Sequence, residues 1–169
     1  MIRGARPGDV DGIAELYERS FGTLSFLPTL HTLEEHRAWF ARVVAEREVW
    51  VYEEEGARLG FIVLGDATVD YLYVEPGMTG RGIGSALLDR AKTRRPDGFS
   101  LWTFQQNDGA RRFYERHWLR VIVYAVFIAG IMWWFQWCFG KAMASFFLKL
   151  TVYSSTSGRR WGFSSPVVG

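Results

Sequence analysis

YLYVEPGMTGRGIGSALL, residues 71–88, is the stretch on which the reading of the chain turns. An alternating apolar run ending at Val74 meets a loop rich in glycine, and a helical pattern follows from Ser85. Glycine at 80, 82 and 84 lets the backbone adopt positive φ and come close to a ligand. The amides from Gly80 through Ser85 then face outward at a helix start, where unpaired N–H groups and the positive dipole end suit a pyrophosphate. A tight connection with no ligand is the plain alternative.

Two familiar phosphate loops are excluded. Gly77 and Gly82 have the spacing of a P-loop, but Ile83 stands where that loop needs its lysine. A dinucleotide fingerprint counted from Gly80 puts Ser85 at its third glycine, and counted from Gly82 it puts Leu87 there.

Outward from the loop, the elements alternate. Met1–Ala5 is a short edge strand. Val10, Ile13, Leu16 and Tyr17 recur at helical spacing, with Asp9 as the N-cap. Thr32 and Glu35 form a capping box for a second helix, whose buried face is Trp39, Phe40, Val43 and Val44. Residues 49–53 and 59–64 read as a hairpin around Gly56. Then follow the strand through Val74, a helix over 85–94, a strand over 99–103 and a helix over 108–117. The expected fold is α/β, one mixed central sheet flanked by helices.

Charge divides the chain. Its net value is only +2 and makes no case for nucleic acid. Every one of the 18 acidic residues lies at or before Glu115, so residues 1–117 carry −3 and the rest carry +5. The single cysteine, Cys138, allows no intrachain disulfide and fits a reducing compartment. Ile2–Val10, broken by Arg3, Arg6 and Asp9, does not read as a signal peptide. No metal-ligand cluster and no oligomer is specified.

The loop together with the downstream LWTFQQNDGARRFYERH, 101–117, resembles the GNAT family of acetyl-CoA-dependent N-acetyltransferases. That family's loop runs Gln/Arg-x-x-Gly-x-Gly/Ala. Gly82-Ile83-Gly84 fill its end, and Thr79 stands where the usual Gln or Arg is missing. Asn107 and Tyr114, seven residues apart, match the second signature. The N-terminal FLPTLHT with Glu34 and Glu35 resembles a bacterial subgroup. The likeness covers residues 1–117.

The resemblance implies acetyl-CoA as co-substrate, no metal, an amine acceptor and direct transfer without a covalent enzyme intermediate. It implies that Thr79, Gly80, Arg81, Gly82, Ile83, Gly84 and Ser85 hold the diphosphate. Leu72, Tyr73 and Val74, on a strand that splays from its neighbour, would bond the pantetheine arm, and Asn107 would bond it too. Tyr114 is the candidate general acid, against the plain reading of a core aromatic; Asn107 has helix capping as its plain reading. Asp70 and Glu75 are the candidate bases, and His31 and Glu34 the candidate acceptor-side residues. Exposed charges at strand ends and in loops are the plain alternative for all four.

The likeness stops at His117. Val121–Gly140 is 20 residues without a charge, and at 1.5 Å per residue this is roughly the 30 Å thickness of a bilayer core. Trp133, Trp134 and Trp137 cluster at one end, so a membrane span is the direct reading, and flanking charge sets no orientation; the acetyl-CoA use that the resemblance implies would put the domain on the cytoplasmic side. Two rivals stand beside it. In one, 121–128 and FFLKLTVY are the family's last two strands; in the other, the abrupt loss of acids marks an out-of-frame product. The expected divisions are a domain at 1–117, a hydrophobic segment at 118–150 and a disordered tail at 151–169. Were the last strands missing, an impaired acyl-CoA binder or a membrane-anchored interaction module would be the alternative functions.

Overall fold

A computed structural model describes residues 1–28, 30–117, 120–121 and 147–152. The elements run β1 (Ile2–Gly4), α1 (Val10–Phe21), α2 (Leu33–Glu46), β2 (Glu48–Glu54), β3 (Ala57–Leu64), β4 (Thr68–Val74), α3 (Ile83–Arg94), β5 (Phe99–Phe104), α4 (Asp108–Arg116), β6 (Arg120–Val121) and β7 (Phe147–Val152). The strands form one mixed sheet in the order β1-β2-β3-β4-β5-β7-β6. Among the described residues only β4 and β5 pair in parallel, and α3 is their crossover.

Each face of the sheet has its own core. Ile13, Ala14 and Leu16 of α1 and Phe40 of α2 pack on Val49, Val51, Phe61 and Val63. On the other side Ile83, Leu87, Leu88 and Ala91 of α3 pack with Tyr114 of α4 on Ile62, Leu64, Val69 and Leu101. Because β3 is covered on both faces, its run from Leu59 to Leu64 is continuously buried instead of alternating.

Several local expectations hold. The capping box is present: Thr32 Oγ1 accepts from the Glu35 amide at 3.3 Å, and Glu35 Oε2 accepts from the Thr32 amide at 2.7 Å. Two details are corrected. Asp9 does not cap α1 with its side chain. It is 2% exposed and takes the guanidinium of Arg3, at 2.7 and 2.9 Å, and that of Arg58 at 2.9 Å. Two arginines outcompete a helix end for the carboxylate, because charge-assisted forks are the stronger bonds. Trp39, expected in the core, is 45% exposed; its indole N–H donates to the Tyr71 hydroxyl at 3.1 Å and its ring lies under Arg42.

The far side of β5 is also settled by pairing. All six of its residues face β7, from Phe99 opposite Val152 to Phe104 opposite Phe147, and β7 also pairs with Arg120–Val121. The edge beside β5 is therefore covered, which removes the missing-strand argument for an impaired binder or a bare interaction module. It matches FFLKLTVY as a sheet strand, and that strand crosses the boundary drawn at 150. The proposed span over 121–140 lies outside the described residues apart from Val121, as do Cys138 and residues 153–169. Among the described residues no helix is long and apolar enough to cross a membrane.

Asp9 gives a first test. Its guanidinium partners hold its carboxyl well below the ordinary carboxylate range, against the cost of burial. A depressed folded-state value means that its stabilisation is full above about pH 4 and is lost as pH falls below that. Asp9→Asn should lower unfolding free energy by about 3 kcal/mol at pH 7, since it removes the buried charge that Arg58 and Arg3 share, while Arg3 keeps Glu53. The gap between variant and parent in urea titrations should narrow toward pH 3.

Candidate active site

The parting of β4 from β5 makes the site. The two strands pair only at Thr68 with Ser100 and Val69 with Leu101. One residue further on, the register of β4 against β3 shifts: Leu64 faces Val69, but Val63 faces Tyr71, so Asp70 is an extra residue. Such a bulge bends and twists its strand, and here it coincides with the point where β4 leaves β5.

Beyond the bulge, hydrogen-bond parity decides which main-chain groups are open. The Glu75 amide donates to the Leu59 carbonyl at 2.9 Å. In an antiparallel ladder bonded pairs alternate, so Phe61–Tyr73 is also a bonded pair, whereas Ile62–Leu72 and Gly60–Val74 are not. Leu72 and Val74 therefore turn their N–H and C=O groups toward the gap, and Tyr73 spends its own on β3. The Val74 carbonyl accepts from Ser20 Oγ at 2.9 Å, which ties the end of α1 to the end of β4.

The glycine loop opens beside this gap. Gly80 and Gly82 have φ of +83° and +81°, a region where a side chain is strained, and a Cβ on either would meet nothing within 4 Å. Gly82 is the N-cap of α3, and among the described residues no side chain caps that helix. The amides of Ile83, Gly84 and Ser85 thus have no partner within the helix. Gly84 serves a different purpose from the one expected: a Cβ there would lie 3.2 Å from Phe113 of α4, so its bareness lets α4 pack against α3. Thr79 Oγ1 donates to the Pro76 carbonyl at 3.2 Å, and Arg81 pairs with Glu54 at 3.3 Å.

Tyr114 is 7% exposed and packs in the cluster that holds Leu72, Val74 and Ile83. Burial pushes its phenol well above the ordinary range, so it is protonated at neutral pH. Asn107 Oδ1 accepts from the Ala110 amide at 3.0 Å, which makes it the N-cap of α4. The structure thus brings Leu72, Val74, the start of α3 and Tyr114 together.

The other carboxylates are occupied. Asp70 accepts from Thr68 Oγ1 at 2.6 Å and pairs with Arg47 at 3.9 Å, four residues and about 13 Å of strand before Val74. Glu75 sits at the gap end of β4, but both its oxygens take the Arg19 guanidinium at 2.9 Å. His31 and Glu34 lie on the opposite core's side, 62% and 84% exposed, beside Glu35 and Arg37. The α1–α2 connection that carries His31 does reach the mouth of the gap, where Phe26 meets Phe104 of β5 with ring centres 5.6 Å apart.

Three neighbours escaped the sequence reading. Gly60 has no turn signal, yet a Cβ there would lie 2.9 Å from Ile83 and 3.2 Å from the Tyr73 carbonyl. Ser20 and His117 are likewise unmarked, because their partners are distant in sequence. Nothing short of the fold reveals them.

Residues 45–117 match the family model described as an acetyltransferase (GNAT) domain. Over those residues the chain is similar to the GNAT family. It is 27% identical over 133 residues to an uncharacterized N-acetyltransferase of Methanocaldococcus jannaschii, covering 68% of this chain and 58% of that one. It is 31% identical over 80 residues to the peptidyl-lysine N-acetyltransferase YiaC of Escherichia coli, covering 47% and 54% respectively. The chain thus spans little more than half the length of these two relatives. In fold the chain superposes on yncA of Salmonella typhimurium, solved with its cofactor acetyl-CoA, with a TM-score of 0.64 at 22% identity, over 94% of this chain and 96% of that one.

Gly60→Ala tests how closely α3 is seated. The new methyl must push the first turn of α3 off the sheet, so a loss of about 1–3 kcal/mol is expected in urea unfolding. Wild-type stability in this variant would mean that α3 is free to shift.

Proposed function

We propose that the chain is an N-acetyltransferase that moves the acetyl group of acetyl-CoA directly to an amine. The observation that carries this reading is the pairing of two open features: the gap-facing backbone of Leu72 and Val74, and the uncapped start of α3 beside it. Open amides and bare left-handed glycines fit a diphosphate, which needs donors and close approach and no metal. Among the described residues no cluster fit to hold a metal occurs.

In this reading the amides from Gly80 to Ser85 take the diphosphate. Arg81, on release from Glu54, adds positive charge beside them, and Thr79 shapes the turn that leads in. The main chain of Leu72 and Val74 bonds the pantetheine arm and aligns the thioester; Tyr73 contributes its position on the strand, its own N–H and C=O being spent on β3. An N–H in the gap stabilises the oxyanion as the amine nitrogen adds to the carbonyl. Holding both reactants there supplies much of the rate. Tyr114 gives its proton to the departing thiolate. Asn107, with its oxygen committed to the α4 cap, offers its amide nitrogen to the arm.

The base is a carboxylate acting through water. Glu75 fits better than Asp70, because it stands at the gap end of β4, and using it requires the Arg19 fork to open. Burial pushes Tyr17 up to about 12 and raises Tyr71 and Tyr73 too, so the phenols near β4 do not serve as bases at neutral pH. The acceptor enters from the α1–α2 side, past His31 and Glu34. YiaC is a peptidyl-lysine N-acetyltransferase, and a lysine side chain is one amine of the right kind.

Tyr114→Phe tests the acid. Without a proton donor kcat should fall about 100-fold or more, with KM for acetyl-CoA little changed. An unchanged kcat over a panel of amines would remove Tyr114 from the chemistry.

A further inference from the structure

His117, at the end of α4, is bonded on both ring nitrogens. Nδ1 lies 2.7 Å from the Phe113 carbonyl, and Nε2 lies 2.8 Å from Ser85 Oγ. A carbonyl only accepts, so Nδ1 carries a hydrogen. In the neutral imidazole Nε2 then has a lone pair and accepts the Ser85 hydroxyl hydrogen. Ser85 is the third residue of α3, among the uncapped amides. With its hydrogen spent on His117, its oxygen has only lone pairs left to offer a further partner. That is the wrong polarity for an anion.

Protonation reverses it. An imidazolium donates from both nitrogens, so Nε2–H would point at Ser85 Oγ and free the hydroxyl hydrogen for a phosphoryl oxygen. We propose that His117 is a positioning residue for the diphosphate, taking up a proton from solvent when acetyl-CoA binds and so turning the Ser85 hydroxyl from acceptor to donor. The proton ends on Nε2, one N–H bond forms, and no other covalent bond changes. The inference rests on the acetyl-CoA reading of the site.

Among the described residues few charged groups face His117. From α3 it meets Ser85, and the charged residues around that turn are already held, Arg81 by Glu54 and Asp89 by Lys92. From α4 it meets the Phe113 ring, with centres 4.4 Å apart. Tyr114 lies one turn back, and Glu115 and Arg116 precede it in the chain. Among the described residues no carboxylate lies within ion-pair distance of the imidazole, so the incoming anion is the group that favours its charged form. The last turn of α4 supports it, because cations are stabilised at helix C-termini.

The test is calorimetry of acetyl-CoA binding to the full chain from about pH 5.5 to 8, in buffers of different ionisation enthalpy. The cofactor's own phosphates titrate in this range, so the quantity read is the difference between wild type and two variants, His117→Gln and Ser85→Ala. Wild type should take up more protons than either variant, approaching one per acetyl-CoA. Its Kd should tighten by up to about tenfold per pH unit on descending through the imidazole range. Equal uptake in wild type and both variants overturns the proposal. If the variants do not fold, NMR titration of the His117 ring in wild type decides. Its protonation midpoint should move to higher pH on adding acetyl-CoA, and an unmoved midpoint overturns the proposal. Absence of binding heat in wild type at every pH is a separate result: it removes the acetyl-CoA reading itself, and this inference with it.

Discussion

Everything at the site depends on β4 leaving β5 after two paired residues. Strands in a sheet normally spend every main-chain group on a neighbour, and an unpaired buried amide is costly. Here the bulge at Asp70 turns β4 away while β3 still holds it on one edge, so the groups on its other edge stay open. The cost is offset around the gap by other means: Ser20 bonds the Val74 carbonyl, and Arg19 clamps Glu75. These contacts tie α1 to the open strand.

The second open feature, the start of α3, is held from two sides. On the sheet side Gly60 gives Ile83 and Leu87 room to seat, and on the other side Gly84 gives room to Phe113. The His117–Ser85 bond adds a polar tie between the same two helices. Two glycines outside the left-handed positions therefore set where the amides point, while Gly80 and Gly82 set the path of the loop that leads to them. The division of labour is steric for one pair and conformational for the other.

Local signals were enough for most of the frame. Helical spacing, the Thr32–Glu35 box and the glycine loop rest on neighbours in sequence, and the elements appear where those signals put them. The loop's left-handed turns were legible because glycine is the residue that takes positive φ at little cost, as Gly80 and Gly82 do. The parity that separates Leu72 and Val74 from Tyr73 was not, since it depends on a register set by β3. Asp9 stands at the N-cap position its helix pattern gives it, but what its carboxylate bonds was not legible, because Arg3 and Arg58 reach it from two strands. Trp39 kept helical spacing with the core residues, yet its indole found a polar partner at the rim. In the tail, β-branched spacing and unbroken apolarity pointed different ways, and only pairing with β5 identified 147–152 as a strand.

Amide hydrogen exchange, followed residue by residue with and without acetyl-CoA, reaches the central claim most directly. Tyr73 should be protected in both states, because its N–H is bonded to β3. Leu72, Val74 and the three amides that open α3 should exchange readily alone and become protected together on binding. Protection of Leu72 and Val74 in the free protein, or no change at these five amides at saturating acetyl-CoA, would contradict the account.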